Sequence, residues 1–136
     1  MGTRLERILK PVFENKFGTL NLTDKYNNFD YFNYNVLIEL KTRNINWGQY
    51  DSLIFSTAKL NKAIELTNDK DFKKEIYFFW KLKDGLFYWK FNKNETDVHV
   101  GGTLNASGQY QDVVYIKNEY IKNYNDLSFK DGYWKN

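Results

Sequence analysis

The sequence predicts a single mixed α/β domain, a central sheet flanked by helices, and three stretches carry that expectation. Residues 3–16 repeat apolar side chains at helical spacing, with Leu5, Ile8, Leu9, Val12 and Phe13 on one stripe. The run Val36-Leu37-Ile38-Glu39-Leu40-Lys41-Thr42-Arg43 has the β-branched content and the alternation of a strand. Two aromatic-rich runs, 75–83 and 86–91, flank Asp84-Gly85, a strong two-residue hairpin signal. At 136 residues the chain is expected to form one domain over 1–136, with no clear assignment for the tail from about 126.

Each element has its own local reason. Thr3 is a plausible N-cap for the first helix, with Glu6 at the capping-box position, and Gly18 follows its end. Pro11 predicts a kink, because an interior proline removes a hydrogen bond and crowds the preceding turn. Leu20 and Leu22 alternate as a short strand over 19–23, and 29–33 with 36–43 read as a hairpin. A second helix is expected from about residue 50 to 66, with Leu53, Thr57, Leu60 and Ile64 as its core stripe. Residues 68–74 read as a charged loop and 92–112 as a long loop holding Gly101, Gly102 and Gly108. A short strand at 113–116 and a short helix at 118–124 follow. If the strands on either side of the second helix pair in parallel, the passage from 36 to 83 is a right-handed crossover.

Composition bounds the function. Apolar content of 42% and aromatic content of 19% are those of a packed domain rather than a disordered chain. With no cysteine, neither a disulfide framework nor a thiolate metal site is available, and one histidine, His99, cannot build a zinc site. His99 reads as a polar loop residue and Gly101-Gly102-Thr103 as a turn, since no P-loop lysine follows. The first apolar segment is broken by Glu6, Arg7, Lys10, Glu14 and Lys16, so it is neither a signal peptide nor a membrane span, and a cytoplasmic protein with no membrane partner is expected. A net charge of +3 permits a polyanionic partner without requiring one. The aromatics of 77–91 are better explained by burial under helices on both sheet faces than by base stacking.

Against that background Glu39 and Lys41 are conspicuous. Strand side chains alternate, so Val36, Ile38, Leu40 and Thr42 point one way, and Leu37, Glu39, Lys41 and Arg43 the other. An acid and a base emerging together from an apolar strand are costly to desolvate and call for partners or a task. With Tyr34-Asn35 as the hairpin turn, Phe32 faces Leu37, Tyr31 faces Ile38, and Asp30 falls directly opposite Glu39. Two facing carboxylates repel unless a cation lies between them, and Mg²⁺ or Mn²⁺ with oxygen ligands suits the gap. Lys41, on the same face, is placed to orient a water or offset phosphate charge. The bland alternative is an ordinary cross-strand pair on an edge: Glu-x-Lys is a short motif, and Glu14-Asn15-Lys16 matches it too.

Asp30 followed by Ile38-Glu39-Leu40-Lys41 on a strand, after a helix and within an α-β-β-β-α-β order, resembles the PD-(D/E)XK nuclease superfamily. The close spacing of Phe29-Asp30-Tyr31 to that strand resembles its small virus-encoded members. The resemblance runs from the first helix to about residue 124, with 29–43 its specific part. It implies a restriction-endonuclease-like fold, Asp30 and Glu39 as metal ligands with the Leu40 carbonyl, and Lys41 as the catalytic lysine. Glu6 on the first helix matches a further carboxylate, and Lys59 on the second helix a polar group near the scissile phosphate. For Lys59 a solvated helix face is the competing reading. Arg43, and Tyr50 in the loop following the strand, are expected phosphate contacts. Two departures stand: Phe29 precedes Asp30 where a proline is usual, and 101–108 carry no arginine. The expectation is a metal-dependent DNA nuclease, with linear, branched and single-stranded DNA all open as substrates and a homodimer compatible with cutting both strands. RNA cleavage, and a non-catalytic viral binding protein engaging nucleic acid or a host protein on the same scaffold, are the alternatives.

Overall fold

The computed structural model describes residues 2–22, 29–104 and 110–128. Helix α1 (Gly2–Phe17) is followed by strands β1 (Asn21–Leu22), β2 (Tyr31–Phe32), β3 (Val36–Thr42) and β4 (Ser52–Ser56), then helix α2 (Thr57–Thr67). Strands β5 (Glu75–Leu82), β6 (Gly85–Lys90), β7 (Asp97–Leu104) and β8 (Tyr110–Lys117) come next. A 3₁₀ turn at Asn118–Tyr120, strand β9 (Lys122–Asn123) and a second 3₁₀ turn at Tyr124–Asp126 close the described chain. Six strands make a mixed sheet in the order β1-β2-β3-β5-β6-β9, and β4-β8-β7 make a separate antiparallel sheet. Strands β3 and β5 are parallel, joined through β4 and α2.

The large sheet is buried on both faces, as its near-continuous apolar runs require. On one face Leu9, Phe13 and Phe17 of α1 pack on Val36, Ile38, Tyr77, Phe79 and Tyr88. On the other, α2 (Leu60, Ala63) and the small sheet (Leu53, Phe55, Val114, Ile116) pack on Ile76, Phe78, Trp80, Leu82, Phe87 and Trp89. The aromatics of β5 and β6 are therefore core, and Phe55 stacks on Phe78 with ring centroids 4.1 Å apart. Trp80 is fully buried, and its indole N–H donates to the Ile54 carbonyl at 2.9 Å, fastening the two sheets. No helix of the described residues is long and apolar enough to cross a membrane.

Several expectations are corrected. The helix begins at Gly2, so Thr3 lies within it rather than capping it. Ile8 is 57% exposed, and the buried stripe continues instead to Phe17. Helix α1 includes Pro11, which lies on its exposed side. Gly18 ends it with φ 80° and an N–H donated to the Glu14 carbonyl at 3.0 Å, the left-handed stop expected of glycine.

The helix anticipated from residue 50 starts only at Thr57. Ser52–Ser56 is strand β4, with Leu53 and Phe55 buried and their neighbours half-exposed, a period of two rather than 3.6. Ser56 then caps α2, its hydroxyl accepting the Lys59 N–H. Ser56→Ala is expected to lower stability by about 1 kcal/mol in urea unfolding, the usual worth of a serine cap.

The β5–β6 turn is centred on Lys83 and Asp84, since Leu82 pairs with Gly85. Neither residue has positive φ, so the anticipated Asp-Gly turn is replaced by one displaced by a residue. The Asp84 carboxylate instead accepts the Trp47 N–H at 2.9 Å. The Phe87 ring packs over Gly85, where a Cβ would meet it at 3.1 Å.

Residues 97–104, expected in a loop, form β7, whose register with β8 shifts between His99 and Thr103, at the glycine pair. His99 and Gly101-Gly102-Thr103 are thus on a strand. The short helix at 118–124 is two 3₁₀ turns around β9. Residue 23 of the first short strand, residues 105–109 of the long loop and the tail from 129 lie outside the described residues.

Candidate active site

The hairpin sets the geometry. Tyr31 pairs with Ile38 and Phe32 with Leu37, as the alternation predicts. The regular ladder stops there: the Asp30 N–H donates to the Ile38 carbonyl at 2.9 Å, one residue out of register. The local backbone turns over at this point. Phe29 packs in the α2-side core and Tyr31 in the α1-side core, although residues two apart on a regular strand share a face. Asp30 is therefore not a rung opposite Glu39. Its carboxylate accepts the Leu40 N–H at 2.8 Å, which brings it to β3 by another route. Because the N–H and C=O of one strand residue point to the same side, the Leu40 carbonyl also faces Asp30.

Glu6 reaches the same place from α1. The Tyr31 hydroxyl donates to the Glu6 carbonyl at 2.6 Å, pinning that turn of the helix over β2. Burial, then the adjacent Asp30 carboxyl and its charge, raise the Glu6 pKa to about 7. Tyr31 is itself pushed above its ordinary value by burial and by the two carboxylates.

Glu39 is the most constrained of the set. Its side chain is 13% exposed, and burial, then the Asp30 charge, raise its pKa to about 8, against the pull of Lys59. Lys59 Nζ lies 3.3 Å from Glu39 Oε1, and among the described residues that buried oxygen accepts no well-aligned hydrogen bond. Lys59 comes from the first turn of α2, placed by the Ser56 cap, with its ammonium 5.8 Å from the Phe29 ring centroid. Glu39, Lys41 and Lys59 share a pocket of about 150 Å³ with Phe55, Ser56, Phe78, Phe79 and Trp80. Burial in it, with Arg43 nearby, lowers the Lys41 pKa, while Glu39 acts in the opposite sense.

Comparison with known proteins bears on this arrangement. Residues 20–127 match the family described as "Phage putative PDDEXK endonuclease". The chain belongs to that family. It is therefore a member of the PD-(D/E)XK superfamily, and the matched segment holds Asp30, Glu39, Lys41 and Lys59 but not Glu6. No curated protein and no solved structure matches the chain.

For this PD-(D/E)XK family member the structure gathers Asp30, Glu39, Leu40, Lys41, Glu6 and Lys59, with Arg43 at the margin. Tyr50 is not gathered. It precedes the start of β4, whereas the pocket draws on Phe55 and Ser56 at the far end of that strand, about 13 Å from Ser52 at the usual rise. Its carbonyl holds the Asn118 amide, and Trp47, near it in sequence, stacks on Phe87 at 4.6 Å. Ser56 was missed as a pocket residue; the signal for its cap, a serine before a helical run, was in the sequence, but not its proximity to Glu39.

Among the described residues no three carboxylate, imidazole or thiolate groups converge into a ready-made metal cage. The donors present nevertheless suit a hard divalent cation. Two carboxyl groups and a main-chain carbonyl are all oxygen, and Glu39 Oε1 is a buried carboxyl oxygen with no hydrogen-bond donor among the described residues.

Proposed function

We propose that this protein is a divalent-metal-dependent nuclease that hydrolyses DNA phosphodiesters inside the phage-infected cell. Asp30, Glu39 and the Leu40 carbonyl would hold Mg²⁺ or Mn²⁺, with Glu6 completing the carboxylate group. The observation that carries this is the buried Glu39 oxygen without a well-aligned donor among the described residues, in one small pocket with two lysines and close to a second carboxylate. A cation held there supplies Lewis-acid stabilisation of phosphoryl charge and a more acidic water.

The chain's own residues do the rest. Lys41, desolvated in the pocket wall and so more readily neutral than a surface lysine, would orient the attacking water and, as the free amine, accept its proton. The Asp30 carboxylate is fixed by the Leu40 N–H, so it presents its second oxygen without reorganising. Glu6, with its raised pKa, can hold a proton near neutrality and release it as positive charge arrives. Lys59 and Arg43 offer cationic contacts to the phosphates on either side of the bond.

The test is incubation of the purified full chain with labelled single-stranded, duplex and branched DNA, and with RNA, in Mg²⁺, Mn²⁺ or EDTA. Cutting of DNA that EDTA abolishes is the expected result, and the preferred form identifies the substrate. Cutting of RNA alone reassigns the substrate. Failure to cut anything while folded, together with binding to nucleic acid or a host protein, favours a non-catalytic role for the same scaffold. Sedimentation in the presence of duplex DNA decides whether two copies act together.

A further inference from the structure

The position of Lys59 carries more than a phosphate contact. Its ammonium lies 3.3 Å from Glu39 Oε1, an oxygen that is buried and accepts no well-aligned hydrogen bond among the described residues. The two side chains are 29% and 13% exposed, so water screens the pair only in part and the attraction exceeds that of an open surface pair. The partner is not an accident of a mobile surface side chain. The Ser56 hydroxyl, accepting the Lys59 N–H, fixes the first turn of α2, and the Phe29 ring stands 5.8 Å from the ammonium. Glu39 is thus balanced by a lysine from another element, while Lys41, two residues along its own strand, lines the same pocket.

We propose that Lys59 is an internal counter-ion that occupies the Glu39 carboxylate in the metal-free protein and competes with the divalent cation for it. This rests on the reading of Glu39 as a metal ligand. A carboxylate buried without any cation would destabilise the fold, and the lysine offsets part of that cost. The same contact must be broken when Glu39 turns to a metal, so the ammonium is released at the edge of the pocket as the site becomes charged. It is then available to an incoming phosphate. Lys59 is a positioning residue in this account: it acts through Glu39, sets a threshold for metal entry and couples that entry to the binding of a polyanion.

The measurement is Mn²⁺ binding to the full chain without nucleic acid, by calorimetry and by the loss of the free-ion paramagnetic resonance signal, at one pH and ionic strength. Wild type, Lys59→Met and Lys59→Arg are compared, with thermal melts to establish folding. Lys59→Met, which keeps the length and removes the charge, is expected to bind Mn²⁺ about tenfold more tightly than wild type, within the usual range of coupling between two sites. Lys59→Arg, which keeps the charge, is expected to stay close to wild type. A purely structural lysine would give no such gain. Equal or weaker Mn²⁺ affinity in a folded Lys59→Met overturns the counter-ion role while leaving the metal site standing. Absence of saturable Mn²⁺ binding in all three proteins overturns both.

Discussion

Lys41→Ala is expected to lower metal-dependent cleavage by about 10²–10⁴-fold, the usual scale for removing a positioned proton-transfer group. The loss should fall on kcat, since Lys41 faces the pocket shared with Glu39 and Lys59 and has no role in holding the strands together. Folding should survive. The ammonium is paid for only partly, because burial and Arg43 both disfavour its charge, and removing it relieves that penalty. Lys41→Arg should rescue poorly: a guanidinium keeps the charge but holds its proton throughout the working range and needs more room than this pocket offers. The check is single-turnover cleavage beside a thermal melt for each variant. An unchanged rate in folded Lys41→Ala would remove Lys41 from the chemistry.

Glu39→Gln should separate stability from activity in opposite directions. Glu39 has its pKa raised from 4.5 to about 8 and Glu6 from 4.5 to about 7 in the folded chain. Between pH 4.5 and 8 the folded state therefore holds more protons than the unfolded one, and stability falls as pH rises through that window. In EDTA the wild-type Tm is expected to drop by roughly 10 °C from pH 5 to pH 9, beyond any general trend of the domain. Glu39→Gln carries no charge to bury, so its Tm should fall much less and exceed that of wild type at pH 9. Divalent cation should restore wild type at high pH and leave the variant unmoved, while cleavage by the variant drops at least about a hundredfold. Parallel melting curves for the two proteins across the pH range would show that Glu39 is not a buried charge of this kind.

The parts of the fold that were legible in the sequence are those governed by local periodicity. The stripe of α1, the left-handed glycine after it and the hairpin register of Tyr31 and Phe32 all follow from spacing within a few residues. What failed were places where two periods coincide or where glycine masks one. Leu53, Leu60 and Ile64 fit a helical stride, yet Leu53 is a strand residue; only the burial of Phe55 beside it reveals the alternation. Strand β7 escaped because its glycine pair has weak intrinsic strand preference, and pairing with β8 supplies what propensity does not. At the site, the Glu-x-Lys strand and the nearby aspartate could be read directly. The ways Asp30 and Glu39 actually meet their neighbours could not, because the break in register at Asp30 and the arrival of Lys59 depend on packing between distant elements. Tyr50 lies outside the pocket for the same reason: β4 runs between it and the residues that line it.

The reversal of the backbone at Asp30 has a temporal side. Phe29 is anchored in one hydrophobic layer and Tyr31 in the other, so the carboxylate between them is aimed only when both layers have closed. Glu6 depends on the first layer and Lys59 on the second. A chain with its strands formed but either helix undocked would hold the same residues in no useful relation. Whatever chemistry this site performs is in this sense proofread by folding: incomplete molecules emerging from the ribosome are silent, and gentle denaturation should extinguish function before the circular dichroism of the strands begins to fade.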